Sequence, residues 1–224
     1  PSIELPSGGE RSAAVHPSVS RKREKWRHLT DVELRQMVAG YFGMVSLVDR
    51  YIGMLLDEIE ALGIRDDTLI VFTADHGEQL WDHELFLKFV FYEQSVHVPL
   101  WFSHPSLPVG DVDGLVEHVD VVPVLCELAG LEFPGRLSGT SLVGAFGSSD
   151  VEVRDAVISE INAHRMVRTK HYKYTEYDGA PGELFDLRDD PGEFVNRVED
   201  PEYRAIRRDL SSRLRAVGRD CGDP

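Results

Sequence analysis

The chain has 224 residues, 42% hydrophobic and 28% charged. That composition excludes disorder as the main state and suits one large domain, or one domain with a small appendage. Asp and Glu number 39 against 24 Lys and Arg, for a net charge of -15. This balance argues against nucleic acid as a partner, since phosphate binding needs a basic footprint. No apolar run approaches the roughly 18 residues of a membrane span.

Residues 1–29 carry Pro, Gly and Ser, then Arg21, Lys22, Arg23 and Lys25, with no sustained period. They read as an irregular, solvated connector. Thr30 and Glu33 have the spacing of a capping box. Apolar residues then recur at Leu34, Val38, Tyr41, Val45, Val48, Ile52, Leu55, Ile59 and Leu62, which predicts one long helix stopped by Gly63. The runs 68–73 and 98–102 are short and continuously apolar, as buried parallel strands are. Between them lies a polar and aromatic loop, Gly77 to His97. Val119 to Leu128 is the next predicted helix, with Pro123 in its first turn and Gly130 at its end. Helix, strand, loop, strand, helix implies an α/β sheet with flanking helices over residues 30–150.

Residues 151–224 have another character. Short strands are expected at 157–159, 166–169, 172–177 and 184–186, separated by turns such as Asp178-Gly179 and Asp190-Pro191-Gly192. They predict a small antiparallel sheet. Asp200-Pro201 opens a last helix with Tyr203, Ile206, Leu210, Leu214 and Val217 on one face. Cys126 reads as a small core residue, and with Cys221 it allows at most one disulfide. The chain begins at Pro1 and shows no signal-peptide pattern. An interior start is the reading, and the cytoplasm is the expected location if no signal peptide lies upstream.

The chemistry concentrates in Phe72-Thr73-Ala74-Asp75-His76-Gly77-Glu78-Gln79. A carboxylate and an imidazole meet where a predicted strand ends, the place at which open α/β sheets bind ligands. Gly77 permits a sharp turn there. The pair suits a divalent cation, and it equally suits a turn cap in which the two side chains bond each other. Lys88 stands in an aromatic and apolar stretch. It is either a point charge for an anionic substrate or a stem covering apolar surface. His97 and His118 read as structural.

The order of these segments resembles the sulfatase family, of the alkaline phosphatase-like superfamily. The resemblance rests on Tyr41 to Asp49, Asp66 to Glu78, Trp81 to Lys88, Tyr92 to Leu100, His118 to Pro123 with Leu128-Ala129-Gly130, Tyr172-Lys173-Tyr174, and Glu183 to Glu193. It implies a partial alkaline phosphatase-like sheet with flanking helices, followed by the small antiparallel sheet and helix. By position it makes Asp75 and His76 metal ligands, Lys88 a contact to the sulfate, and His83 a further catalytic candidate. The implied cofactor is a divalent metal, calcium first, with manganese or magnesium behind it. The implied substrate is a small-molecule or carbohydrate sulfate ester. The Asp-His form also resembles iduronate-type and choline-type sulfatases and phosphonate monoester hydrolases, so a phosphonate monoester or phosphodiester substrate is the alternative.

Sulfatases carry their nucleophile, a formylglycine made from Cys or Ser, in an N-terminal Cys/Ser-x-Pro-x-Arg motif. This chain has no such motif; His16-Pro17-Ser18-Val19-Ser20-Arg21 has similar letters in the wrong order. Calcium takes about 6–8 oxygen ligands, which Asp75 and His76 do not supply. The expectation is therefore the C-terminal portion of an enzyme, inactive alone and partnered by a missing N-terminal half. A non-catalytic remnant or binding module is the reading from a different class.

Overall fold

The computed structural model describes residue 5, residues 16–132, residue 135 and residues 138–220. The chain falls into two compact units, Pro1–Ser106 and Leu107–Pro224. Residues 117–120 are tied to the segment that enters the antiparallel sheet. Arg154 pairs with Glu117 and Asp120, and Ile158 N donates to Glu117 Oε1 at 2.7 Å.

The first unit contains α1 (Pro17–Glu24), α2 (Asp31–Ala61), β1 (Ile70–Thr73), the single helical turn α3 (Glu93–Val96) and β2 (Leu100–Ser103). Helix α2 begins with the expected capping box: Thr30 N donates to Glu33 Oε2 at 2.8 Å, and Glu33 N donates to Thr30 Oγ1 at 3.4 Å. Gly63 follows with φ +67°, the left-handed conformation that ends helices. Only the first turns of α2 are buried. Leu34 and Val38 pack with Phe86, and with half-buried Leu5, Trp26, Leu29 and Trp81.

Two expectations change here. The connector contains a helix: in α1, Val19 is fully buried. Val19, Arg23 and Trp26 recur at helical spacing, a short signal masked by the surrounding charge. The strands β1 and β2 are antiparallel to each other, with Ile70 opposite Ser103 and Thr73 opposite Leu100. A parallel pair needs a crossover of about a dozen or more residues, usually a helix. The intervening loop is long enough but irregular, and it returns the chain on the same side. Phe72 and Trp101, opposite each other in this register, stack with centroids 5.2 Å apart.

The second unit holds α4 (Val121–Leu128), β3 (Ala156–Ile161), β4 (His164–Thr169), β5 (Tyr172–Tyr177), β6 (Ala180–Asp186) and α5 (Arg204–Asp220). The strands form an antiparallel meander in chain order. The β5–β6 turn has Asp178 and Gly179 both at positive φ (52° and 76°), the twist-compatible hairpin turn. Helix α5 lays Leu210 and Leu214 on Val167, Tyr174 and Leu184, as its spacing predicts. The side chain of Val217 and all of Cys221 lie outside the described residues. Cys126 is a half-buried free thiol and not a core residue; the α4 residues that are buried are Pro123 and Val124. No described helix is long and apolar enough to cross a membrane.

Polar groups join α5 to the sheet. Tyr174 OH donates to Glu176 Oε1 at 3.1 Å, and so does Ser211 Oγ at 2.7 Å. Burial, and the carboxylate beside it, hold the Tyr174 phenol well above its ordinary pKa. At the end of β6, Asp186 accepts from Arg188 Nε at 2.9 Å and Nη2 at 2.6 Å, and from Tyr203 OH at 3.2 Å. The Arg188 hydrogen bonds hold the Asp186 carboxyl below the usual range. A carboxyl depressed in the folded state contributes stability above its unfolded pKa, about 3.9, and loses it as the pH falls through the lower folded value. Thermal unfolding of Asp186→Asn is therefore expected several degrees below wild type at pH 7. The gap should close as the pH falls below about 4. A gap independent of pH would assign the effect to packing alone.

Candidate active site

Asp75 and His76 follow the last residue of β1 by two and three positions. Asp75 is exposed and His76 is half-buried. They bond each other: His76 N donates to Asp75 Oδ1 at 3.0 Å, and Nε2 lies 3.3 Å from Asp75 Oδ2. His76 Nδ1 sits 2.8 Å from Gly77 O, which orients the ring. The observed geometry is that of the turn cap, and the bonds that fix the turn also present a carboxylate and an imidazole together. Gly77 is required by close approach. Its N donates to Ser95 O at 2.9 Å, and a Cβ there would meet Gln94 O at 1.9 Å.

The loop then folds back on itself. Glu78 Oε1 accepts from Leu87 N, and Gln79 N donates to Leu87 O at 3.2 Å. This brings Leu87, the neighbour of Lys88, back to Glu78 and Gln79. Lys88 is half-buried, with Nζ 5.8 Å from the centroid of the Phe89 ring. His83 is 5% exposed and stacks flat on Tyr92, centroids 3.8 Å apart. Its ring belongs to the interior of the loop, whereas Asp75 lies open to solvent. Burial raises the Asp82 carboxyl above its ordinary range, opposed by a hydrogen bond from Gln94. His97 is exposed, with Nδ1 3.5 Å from Glu93 Oε2.

The loop is held against local preference. Leu80, Trp81, His83, Glu84, Leu87 and Phe89 all have φ between 45° and 79°. For bulky side chains this region costs of order 1–3 kcal/mol per residue and persists only where the surroundings over-determine it. The surroundings here include residues not recognised from the sequence. Arg23 Nε donates to His83 O at 2.7 Å, and Lys22 Nζ donates to Phe89 O. Leu85, Phe86, Val90 and Phe91 are buried beneath. The basic cluster of α1 is a strap on the site loop rather than a solvated patch.

As donors for a cation, Asp75 and His76 are right in kind and short in number. Among the described residues no group of three or more His, Cys, Asp or Glu could hold a metal ion.

Two family descriptions match the chain. One, "Sulfatase", matches residues 9–131. The other, "N-sulphoglucosamine sulphohydrolase, C-terminal", matches residues 81–220. The chain belongs to the sulfatase family. Among curated sulfatase-family relatives, the multifunctional alkaline phosphatase superfamily protein PehA of Trinickia caryophylli is 31% identical, over 83% of this chain and 41% of its own length. Arylsulfatase K of Bos taurus is 31% identical over 84% of this chain and 38% of its own. Among solved structures, the phosphonate monoester hydrolase of Silicibacter pomeroyi superposes with a TM-score of 0.83 at 27% identity, covering 97% of this chain and 50% of that one. This sulfatase-family chain spans about half or less of each of these relatives, and its partial fold is that of their C-terminal portions.

Proposed function

We propose that this chain is the C-terminal part of a metal-dependent sulfatase that hydrolyses sulfate esters, its formylglycine nucleophile supplied by an N-terminal part outside these residues. The observation that supports the reading most is the return of the strained loop, which bonds Leu87, the neighbour of Lys88, to Glu78 and Gln79, just after Asp75 and His76 in the chain. Asp75 and His76 would hold a divalent cation, calcium first, with the remaining ligands supplied by the N-terminal part. The cation would supply Lewis-acid polarisation of the ester. The chain's own residues do the rest. Asp75 fixes the His76 ring through the 3.3 Å contact. Lys88 neutralises negative charge on the transferring group, an electrostatic role that strengthens as water is excluded. His83, stacked under the loop, holds the Lys88 segment in shape.

A second reading, phosphonate monoester or phosphodiester hydrolysis, is favoured by the Asp75-His76 pair and by a solved relative. The phosphonate monoester hydrolase of Agrobacterium radiobacter is 31% identical with a TM-score of 0.77.

The experiment is turnover of an aryl sulfate and an aryl phosphonate by the protein from its native source, with Asp75→Ala and Lys88→Ala beside wild type. Sulfate turnover should fall at least about 10²-fold in each variant. The 224-residue chain alone should show none. Turnover unaffected by Asp75→Ala would sink the assignment, and a preference for the phosphonate would select the second reading.

A further inference from the structure

Lys22 and Arg23 are half-buried on α1, while Arg21 beside them is exposed. Arg23 Nε donates to His83 O at 2.7 Å, and Lys22 Nζ donates to Phe89 O. Both acceptors belong to residues at positive φ, His83 at 53° and Phe89 at 75°. Lys88 therefore lies between two fixed backbone groups. On one side Leu87, at φ 70°, has its N bonded to Glu78 Oε1 and its O accepting from Gln79 N at 3.2 Å. On the other side the Phe89 carbonyl is held by the Lys22 ammonium. A lysine side chain is a flexible stem, so the reach of its ammonium depends on where the backbone places its root. Hydrogen bonds from charged donors are among the stronger kind, and left-handed Leu and Phe persist only where their surroundings over-determine them. The helix has apolar anchors of its own: Val19 is fully buried, and Trp26 meets Phe86 edge-on with ring centroids 5.5 Å apart.

We infer, resting on the role proposed above for Lys88, that Lys22 and Arg23 are positioning residues for the hydrolysis. Arg23 clamps the loop before Lys88, at His83, and Lys22 clamps it after, at Phe89. In this role neither touches the substrate. Loss of either cation lets the loop relax towards negative φ, which displaces Lys88 without removing it. The apolar anchors keep α1 docked meanwhile, so the effect on the loop is separable from loss of the fold.

The test compares Lys22→Met and Arg23→Met with Arg21→Met in the full protein expressed in its native source. Aryl sulfate turnover should fall by about 10²-fold in each of the first two and stay at the wild-type rate in Arg21→Met. The loss should lie in kcat more than in KM, because the charge that Lys88 neutralises builds up in the transition state. Lys22→Arg, which keeps a cationic donor, should restore most of the rate. In a Lys88→Ala background Arg23→Met should cost little further, since residues that act through one group are not additive. Hydrogen exchange of residues 80–90 should quicken in Arg23→Met while that of the β3–β6 meander is unchanged. Equal losses in all three variants, an undiminished loss in the Lys88→Ala background, or loop exchange at the wild-type rate would overturn the inference. Exchange is read whether or not the ester is turned over. A quickened loop in a protein without turnover sinks the hydrolase reading and leaves the clamp standing; turnover with an unchanged loop does the reverse.

Discussion

Gly77→Ala is expected to dismantle the candidate site while leaving the second unit folded. The new Cβ would lie 1.9 Å from Gln94 O and 2.9 Å from its carbonyl carbon. Both are backbone atoms, so no rotamer relieves the clash. The turn must move away from α3, breaking the 2.9 Å bond from Gly77 N to Ser95 O and shifting Gly77 O from His76 Nδ1. Overpacking of this kind costs about 1–3 kcal/mol or more, and a displacement near 1 Å costs about 10²-fold in rate. The measurements are aryl sulfate turnover by the intact protein and the fluorescence of Trp81, which packs beside Phe86. Gly43→Ala is the control: a Cβ there meets nothing within 4 Å. In mid-helix that change should stabilise α2 by about 0.5–1 kcal/mol. Equal losses in both variants would refute the close-approach argument.

Arg154→Met should strongly destabilise the second unit. Arg154 Nη1 lies 2.5 Å from Glu117 Oε2, and Nη2 lies 2.6 Å from Asp120 Oδ1. Asp120 is fully buried and also accepts from Glu117 N at 2.7 Å and Thr140 N at 2.8 Å. Removing the cation leaves two carboxylates together without a counter-charge. Breaking a buried pair from one side costs about 3–5 kcal/mol. At about 2–4 °C per kcal/mol for a chain of this size, the melting temperature should fall by roughly 6–20 °C. Adding Glu117→Gln should recover part of the loss, since it removes one of the stranded charges. A double variant less stable than Arg154→Met alone would show that the hydrogen bonds of Glu117 outweigh its charge.

What the sequence made legible follows its periodicity. Helix α2 and its capping box, the four strands of the meander with the Asp178-Gly179 turn, and the apolar face of α5 are local patterns, and the chain forms them. The direction of β1 against β2 was not legible. A short apolar run carries no information about its neighbour's direction, and the long connection between the two permits either. Asp75, His76 and Lys88 stand out by residue type. The fold-back of the loop depends on Glu78 reaching Leu87, and on Arg23 reaching His83 across 60 positions. Such long-range side-chain to backbone bonds leave no periodic trace. The left-handed run from Leu80 to Phe89 was also hidden, because Leu, Trp and Phe give no sign of positive φ.

The two sheets also differ in how far apart in the chain their partners lie. Every hairpin of β3–β6 closes between neighbours in sequence, while β1 finds β2 only after the entire site loop has been made. Chain closure over longer spans is slower. A ribosome therefore delivers the slow-assembling unit first and the quick one last. During synthesis, α2 leaves the exit tunnel well before β2 exists to complete its unit. Within these residues, the interval between 61 and 103 is the one in which the unit waits longest for its sheet, open meanwhile to chaperone capture and aggregation.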